Sequence, residues 1–286
     1  MIVAHTREEL AIARAKLSGP VVLVPTMGAL HEGHRALLRR ARELAGPGGS
    51  TALSIFVNPL QFGAGEDLDK YPRTLPEDLK AAEAEGTDLV FAPGVEDMYP
   101  REQLVTVKAG PVGDILEGAH RPGHFNGMLT VVLKLFTLVK PDIAVFGQKD
   151  AQQLALIRRM VSDFALDVTV EGLPTVRAGD GVALSSRNKY LSEAERIVAT
   201  ALSRALAAGE AAAPRGPQAV LEASRRVLAE SGDALTTDYV ELVDFENGTA
   251  VRHKDFGGLA TLAVAARVGT TRLIDNVPVR FDAADD

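Results

Sequence analysis

The stretch PVVLVPTMGALHEGH, residues 20–34, decides how the chain is read. Its apolar run, Val21–Val24, stops at Pro25 and is followed by a turn containing Gly28. Short apolar runs bounded by Gly or Pro read as buried strands. Beyond the turn, Leu37, Leu38, Ala41 and Leu44 share one face of a helix expected over about 33–45. Strand, turn and helix in this order are the opening unit of an α/β fold. The turn also holds two of the chain's six histidines, His31 and His34, separated by Glu32 and Gly33.

Metal, phosphate and accident are the three readings of that pair. Zinc chemistry of the HExxH type needs histidines four apart, one helical turn. These are three apart, and the chain has no cysteine. The other histidines (5, 120, 124, 253) show no ligand spacing. A phosphate fits better, because a helix start leaves backbone N–H groups unpaired and its dipole favours an anion. Gly28 and Gly33 let a ligand approach the backbone. Two imidazoles three apart lie on one face and can donate to one phosphate. Taken alone, the eleven residues 24–34 leave this reading and two solvated histidines equally open.

The alternation continues outward. TALSIFV (51–57), DLVFAP (88–93), DIAVFG (142–147) and DVTVEG (167–172) read as strands, with helices over 124–139 and 151–164 between or beside them. Thr74 with Glu77, Asp150 with Gln153 and Ser192 with Glu195 have capping-box spacing. The expected architecture is a Rossmann-like, doubly wound parallel sheet, residues 1–175. The Gly-, Pro- and Ser-rich segment LPTVRAGDGVALSSRN (173–188) reads as a connector. Beyond it, two helices and then DYVELVD (238–244), LATLAVAARV (259–268) and TRLIDNVPV (271–279) predict a smaller α+β domain, residues 176–286, with a short acidic end.

Composition excludes several classes. Thirty-one basic against 38 acidic side chains give a net charge of −7, opposite to the basic excess of nucleic-acid-binding proteins. Without cysteine there are no disulfides, thiolate nucleophiles or Cys-based zinc sites. The N-terminus shows no secretory pattern. The most apolar stretch, MLTVVLKLFTLV (128–139), contains Lys134 and is too short to span a bilayer. The expectation is a cytoplasmic protein with small-molecule partners.

Two further clusters sharpen the phosphate reading. FGQKDAQQ (146–153) stands at another strand-to-helix junction, and ligands of open α/β sheets bind at the carboxyl ends of strands. Lys149 and the histidine pair can therefore face one cleft. Lys149 offers a point charge, and Asp150 an acceptor for ribose hydroxyls or simply a helix cap. LSSRNKY (184–190) offers two hydroxyls and Arg187, as a solvated turn or as a lid over a pyrophosphate.

PTMGALHEGH, IFVNPLQFGAGEDLDKYPRTL, RPGHFNG, FGQKDAQQ and ALSSRNKYLS occur in this order. With DYVELVD and TRLIDNVPV they make the chain resemble the pantothenate synthetases (pantoate–β-alanine ligases), of the nucleotidyl transferase group with a HIGH-type signature, along essentially its whole length. Leu184 stands where that family has Met, and RAGDG (177–181) replaces a variant such as READG.

The resemblance implies an ATP-dependent, AMP-forming ligase of coenzyme A biosynthesis. Pantoate's carboxylate would attack the α-phosphate, and the β-alanine amine would then attack the pantoyl adenylate. By the same resemblance His34, as proton donor, works with His31, Lys149, Ser185, Ser186 and Arg187 on the developing charge. Met27, Gly28, Ala29, Leu30, Glu32 and Gly33, with the two histidines, line ATP. So do Gly147, Gln148, Lys149, Asp150, Val176, Leu184 and the Ser185–Arg187 run. Gln61 and Gln153 would hold pantoate, and Gln61 and Asn58 β-alanine. The implied cofactor is Mg²⁺, with Glu77 and Asp78 in the metal region, and the implied assembly is a homodimer. Arg121, His124 and Asn126 form a loop whose role the sequence leaves between site and scaffold. A transferase acting on a phosphorylated substrate would want further basic residues, whereas neutral Gln61 and Gln153 suit a hydroxy acid. A catalytically dead nucleotide-binding protein would lack the charged donors, and a tRNA-charging enzyme does not suit the negative charge.

Overall fold

The computed structural model describes residues 1–63, 65, 66 and 68–282. The acidic end from 283, and two positions of the 55–75 motif, lie outside them. The chain divides into two compact units. The first comprises Met1–Gly147 with Gln153–Pro174, and the second Gln148–Gln152 with the chain from Thr175 onward. The sequence places a single cut after 175; the contacts additionally group the five residues after Gly147 with the second unit.

In the first unit the elements run β1 (Ile2–Ala4), α1 (Arg7–Arg14), β2 (Val21–Thr26), α2 (Glu32–Ala45), β3 (Ser50–Ile55), α3 (Leu75–Ala84) and β4 (Leu89–Phe91). Two short helices, α4 (Val95–Met98) and α5 (Glu117–His120), precede α6 (His124–Val139), β5 (Ile143–Gly147), α7 (Ala151–Asp163) and β6 (Thr169–Leu173). The strands form one parallel sheet in the order β1-β4-β3-β2-β5-β6. Alternation along each strand sends neighbours to opposite faces, yet both faces are apolar. Val21, Leu23, Ala52, Phe91 and Phe146 join one cluster with α1 and α6. Val22, Val24, Leu53, Val90 and Val145 join another, against Leu37, Leu38 and Ala41 of α2. A sheet covered on both faces explains why the strands read as unbroken apolar runs. Val21 to Val24 are fully buried, and each such side chain contributes roughly 1.5–3 kcal/mol.

The winding positions the site. From β2 the chain goes to β3 and β4 on one side, then returns to lay β5 on the other. The carboxyl ends of β2 and β5 thus flank the topological switch point, where such sheets bind ligands. The loop 27–31 leaves β2 at that edge, and the turn at Gln148 leaves β5.

Three local findings depart from the sequence reading. The β1–α1 pair is not evident from the strand pattern, although Thr6 and Glu9 form a complete capping box at the start of α1. The strand over 51–57 ends at Ile55, because Asn58 begins the 3₁₀ turn Pro59–Gln61. The expected Thr74–Glu77 box does not form, since Thr74 makes no side-chain cap; its hydroxyl donates to Asp78 Oδ2 at 3.2 Å instead. The Ser192–Glu195 box is present.

The second unit contains α8 (Glu193–Ala211), α9 (Pro217–Ala229), β7 (Leu235–Asp244), β8 (Thr249–Ala250), β9 (Gly258–Val268) and β10 (Thr271–Phe281). Its antiparallel sheet has the order β10-β9-β7-β8, with α8 and α9 against it. At Gly209 a Cβ would stand 2.3 Å from Ser224 Oγ and 2.5 Å from a Leu262 methyl, so the glycine sets how closely α8 approaches α9 and the sheet.

Candidate active site

The loop between β2 and α2 is held from below by one buried carboxylate. Gly28 and Ala29 both have left-handed backbone, φ 86° and 52°. Glycine tolerates this and alanine rarely does. The turn is compensated by Asp78 of α3, 2% exposed. Its Oδ2 accepts the Ala29 N–H at 3.0 Å and its Oδ1 the Leu30 N–H at 2.7 Å. A Cβ at Gly28 would approach Asp78 Oδ2 and an Ile55 methyl to 3.0 Å each.

His31 is the N-cap of α2. Its Nδ1 accepts the Gly33 N–H at 3.1 Å, and the Nδ1 of His34 accepts the His31 N–H at 3.3 Å. This is a capping box built from imidazoles in place of Ser and Glu. A backbone N–H can only donate, so each Nδ1 carries a lone pair and each ring's proton sits on Nε2. The two ring centroids are 4.1 Å apart. Two adjacent imidazolium ions would repel, and the positive end of the helix dipole disfavours both. The arrangement makes the pair neutral donors through Nε2. It also narrows the role of the backbone: the amides of Ala29, Leu30, His31 and Gly33 already have acceptors within the protein. Glu32 turns along the helix to pair with Arg39, whose guanidinium holds its carboxyl below the usual range.

A second platform in the same unit carries Gln61. Asn58, 1% exposed, donates through Nδ2 to Gln61 Oε1 and to the Gly127 carbonyl, both at 3.1 Å. Asn58 Oδ1 accepts from the Tyr99 hydroxyl at 2.8 Å and the Leu60 N–H at 3.3 Å. Burial pushes the Tyr99 phenol further up, which keeps it a donor. Gln61 Nε2 reaches the Met27 sulfur at 3.1 Å, tying this platform to the loop that follows β2. The Gln61 carbonyl accepts from His124 Nδ1 at 2.8 Å and Arg121 Nη2 at 3.3 Å. Arg121 also donates to His124 Nε2 at 3.1 Å, which gives His124 the opposite tautomer from His31 and His34. Arg121 grips Glu66 through two bonds, 2.9 and 2.6 Å, and holds its carboxyl below the usual range. Asn126 Oδ1 accepts the Ala109 N–H at 2.9 Å. Gly127 lets α6 close on this turn, since a Cβ there would fall 1.9 Å from the Leu60 carbonyl oxygen. Arg14 of α1 binds the last carbonyls of α6, Val139 at 2.7 Å and Lys140 at 3.0 Å.

The second unit holds most of the remaining candidates. Lys149 lies in the 3₁₀ turn Gln148–Asp150, mostly buried, with Nζ 3.9 Å from Asp150 Oδ1. Val176 and Leu184 face each other across a small hairpin, Leu184 N–H to Val176 carbonyl at 2.9 Å. Ser185 caps the 3₁₀ turn Ser186–Tyr190 by accepting the Arg187 N–H at 3.3 Å, and Arg187 itself is exposed. Gln153, in the first unit, stands in the first turn of α7, half-buried.

Among the described residues, no group of three or more His, Asp or Glu is arranged to hold a metal. Glu77 is exposed, whereas Asp78 is buried with both oxygens accepting amides. Both oxygens of Asp78 are thus engaged within the protein, which gives this carboxylate a structural task at the loop. Tyr99 and Met27 Sδ, as partners of Asn58 and Gln61, are legible only in three dimensions.

The family model for pantoate-beta-alanine ligase matches residues 2–278. Pantothenate synthetase of Thermobifida fusca is 56% identical over 287 residues, covering 97% of this chain and 95% of that one. The crystal structure of pantothenate synthetase from Thermus thermophilus superposes with a TM-score of 0.88 at 45% identity, covering 97% of this chain and 99% of that one. A pantoate-beta-alanine ligase from Francisella tularensis, described as complexed with beta-gamma ATP and beta-alanine, gives 0.78 at 31% identity, covering 97% of each chain. On this end-to-end likeness the chain belongs to the pantoate–beta-alanine ligase family, which uses ATP to join pantoate to β-alanine.

Proposed function

We propose that this chain makes pantothenate in two steps and divides the work between groups carried by its two units. In the first step a pantoate carboxylate oxygen bonds to the α-phosphorus of ATP, and the bond to pyrophosphate breaks. In the second the β-alanine amine bonds to the acyl carbon, the bond to AMP breaks, and the amine loses a proton.

The observation that carries this reading is the reciprocal histidine cap. Donors fixed before the reaction, aimed where negative charge develops, stabilise the transition state more than the substrate. Nε2–H of His31 and of His34 supplies such donors from the start of α2. Lys149, Ser185, Ser186 and Arg187 supply the rest toward the phosphates. The Met27–His34 loop, Gly147, Gln148, Val176 and Leu184 line the nucleotide, and Asp150 accepts from its ribose. Gln61 and Gln153 hold pantoate, accepting from its hydroxyls and donating to its carboxylate without adding charge. Asn58 meets β-alanine's side of the site through Gln61, whose amide it orients. Mg²⁺ enters on the phosphates of ATP as part of the substrate. Closure of the 176–286 domain would keep water from the mixed anhydride. A homodimer and a cytoplasmic location complete the proposal. Among the described residues no helix is long and apolar enough to cross a membrane.

Rapid mixing of enzyme, ATP and pantoate tests the assignment. His34→Ala and Lys149→Ala should each slow pantoyl adenylate formation by roughly 10²–10³. Wild-type rates in either variant would remove that residue from the first step.

A further inference from the structure

We propose that Asn276, in strand β10, is a positioning residue for Lys149. The side chain is 7% exposed, and its Nδ2 donates to two consecutive carbonyls, Gln148 at 2.9 Å and Lys149 at 2.7 Å. Both amide protons therefore grip the 3₁₀ turn that carries the lysine, from a residue 127 positions away. The platform is firm: β10 pairs with β9 along its whole length, with Asn276 opposite Ala263.

The adjacent residue performs a matching task. Asp275, 3% exposed, receives Arg177 through Nη1 at 2.5 Å and Nη2 at 3.0 Å. Arg177 follows Val176 and opens the hairpin that leads to Ser185–Arg187; its Nη1 also donates to the Gly181 carbonyl at 3.2 Å. The Asn276 N–H donates to Asp275 Oδ1 at 2.8 Å, locking the two residues together. Two neighbouring residues of one strand thus anchor the Lys149 turn and the root of the connector.

A lysine has four rotatable bonds, so a loosened turn spreads its ammonium over many positions. Misplacement by about 1 Å costs on the order of 10² in rate. Asparagine suits the task because a neutral NH₂ satisfies two carbonyls without placing a charge beside the ammonium.

The inference rests on the role proposed for Lys149, and a double-mutant cycle separates the two. Asn276→Ala should slow single-turnover adenylate formation by about 10–10², with the KM for pantoate little changed. Asn276→Ser, which keeps one donor, should lie between it and wild type, and serves if the alanine variant fails to fold. In a Lys149→Ala background neither change should slow the reaction further. Equal additional losses in that background, or no loss from Asn276→Ala alone, would overturn the proposal for Asn276. Wild-type activity of Lys149→Ala alone would instead overturn the role of the lysine, and the inference with it.

Discussion

The backbone N–H of His31 donates to Nδ1 of His34, three residues along the same helix. Its counterpart, Gly33 N–H to His31 Nδ1, closes the first turn of α2. The bond network decides the protonation of two residues at once, because a ring nitrogen that accepts cannot carry the proton.

The first prediction follows from that bond. Nitrogen-15 spectra of the imidazoles should show both rings as neutral Nε2–H tautomers at neutral pH. Asparagine places its polar atoms only near Nδ1, whereas glutamine also reaches the place of Nε2, so the donor function can be tested with the cap kept. His34→Asn should keep most of the cap and lose about 10²–10³ in adenylate formation. His34→Gln should keep the cap, because glutamine is an ordinary capping-box residue at this position, and retain more activity than His34→Asn through its amide donor. An Nδ1–H or imidazolium signal would contradict the assignment.

A second prediction concerns Asp78. Asp78→Ala strands the Ala29 and Leu30 amides and leaves a turn of two positive-φ residues unsupported. A buried amide left without an acceptor costs roughly 1–3 kcal/mol, and these two half-buried ones should cost less than that each. The melting temperature should fall and the KM for ATP rise, with a smaller effect for Asp78→Asn. Excess Mg²⁺ should not rescue either variant. Rescue would mean that the carboxylate serves the metal after all.

Glu66 and Arg121 give a prediction in pH. The Arg121 hydrogen bond lowers the Glu66 carboxyl from its ordinary value of 4.5. A depressed folded-state value adds stability above the unfolded value, and this is lost as pH falls through the folded one. Glu66→Gln should therefore cost about 1 kcal/mol at neutral pH, as a partly exposed pair does. The gap from wild type should narrow on acidification below about pH 4. Urea unfolding of both proteins across that range measures it; a gap independent of pH would contradict the pairing.

What the sequence conveyed and what it withheld divide along physical lines. Buried parallel strands announce themselves as apolar runs, so β2, β5 and the histidine turn after β2 were legible. The start of α3 was misleading: Thr74 and Glu77 have capping spacing, but the buried Asp78 one residue later captures the hydroxyl. The contacts that orient the candidate site were not legible. Tyr99 reaches Asn58 across 41 positions and Asn276 reaches Lys149 across 127, and no local pattern encodes such a pairing. Arg121 and His124, ambiguous as a loop, hold the Gln61 carbonyl.

Activation of pantoate as its adenylate is the central claim, and pantoate labelled with oxygen-18 in its carboxylate tests it most directly. With ATP and β-alanine, mass spectrometry should find one labelled oxygen transferred to AMP, and pyrophosphate release should require pantoate but not β-alanine. Label in inorganic phosphate, or AMP free of label, would contradict it.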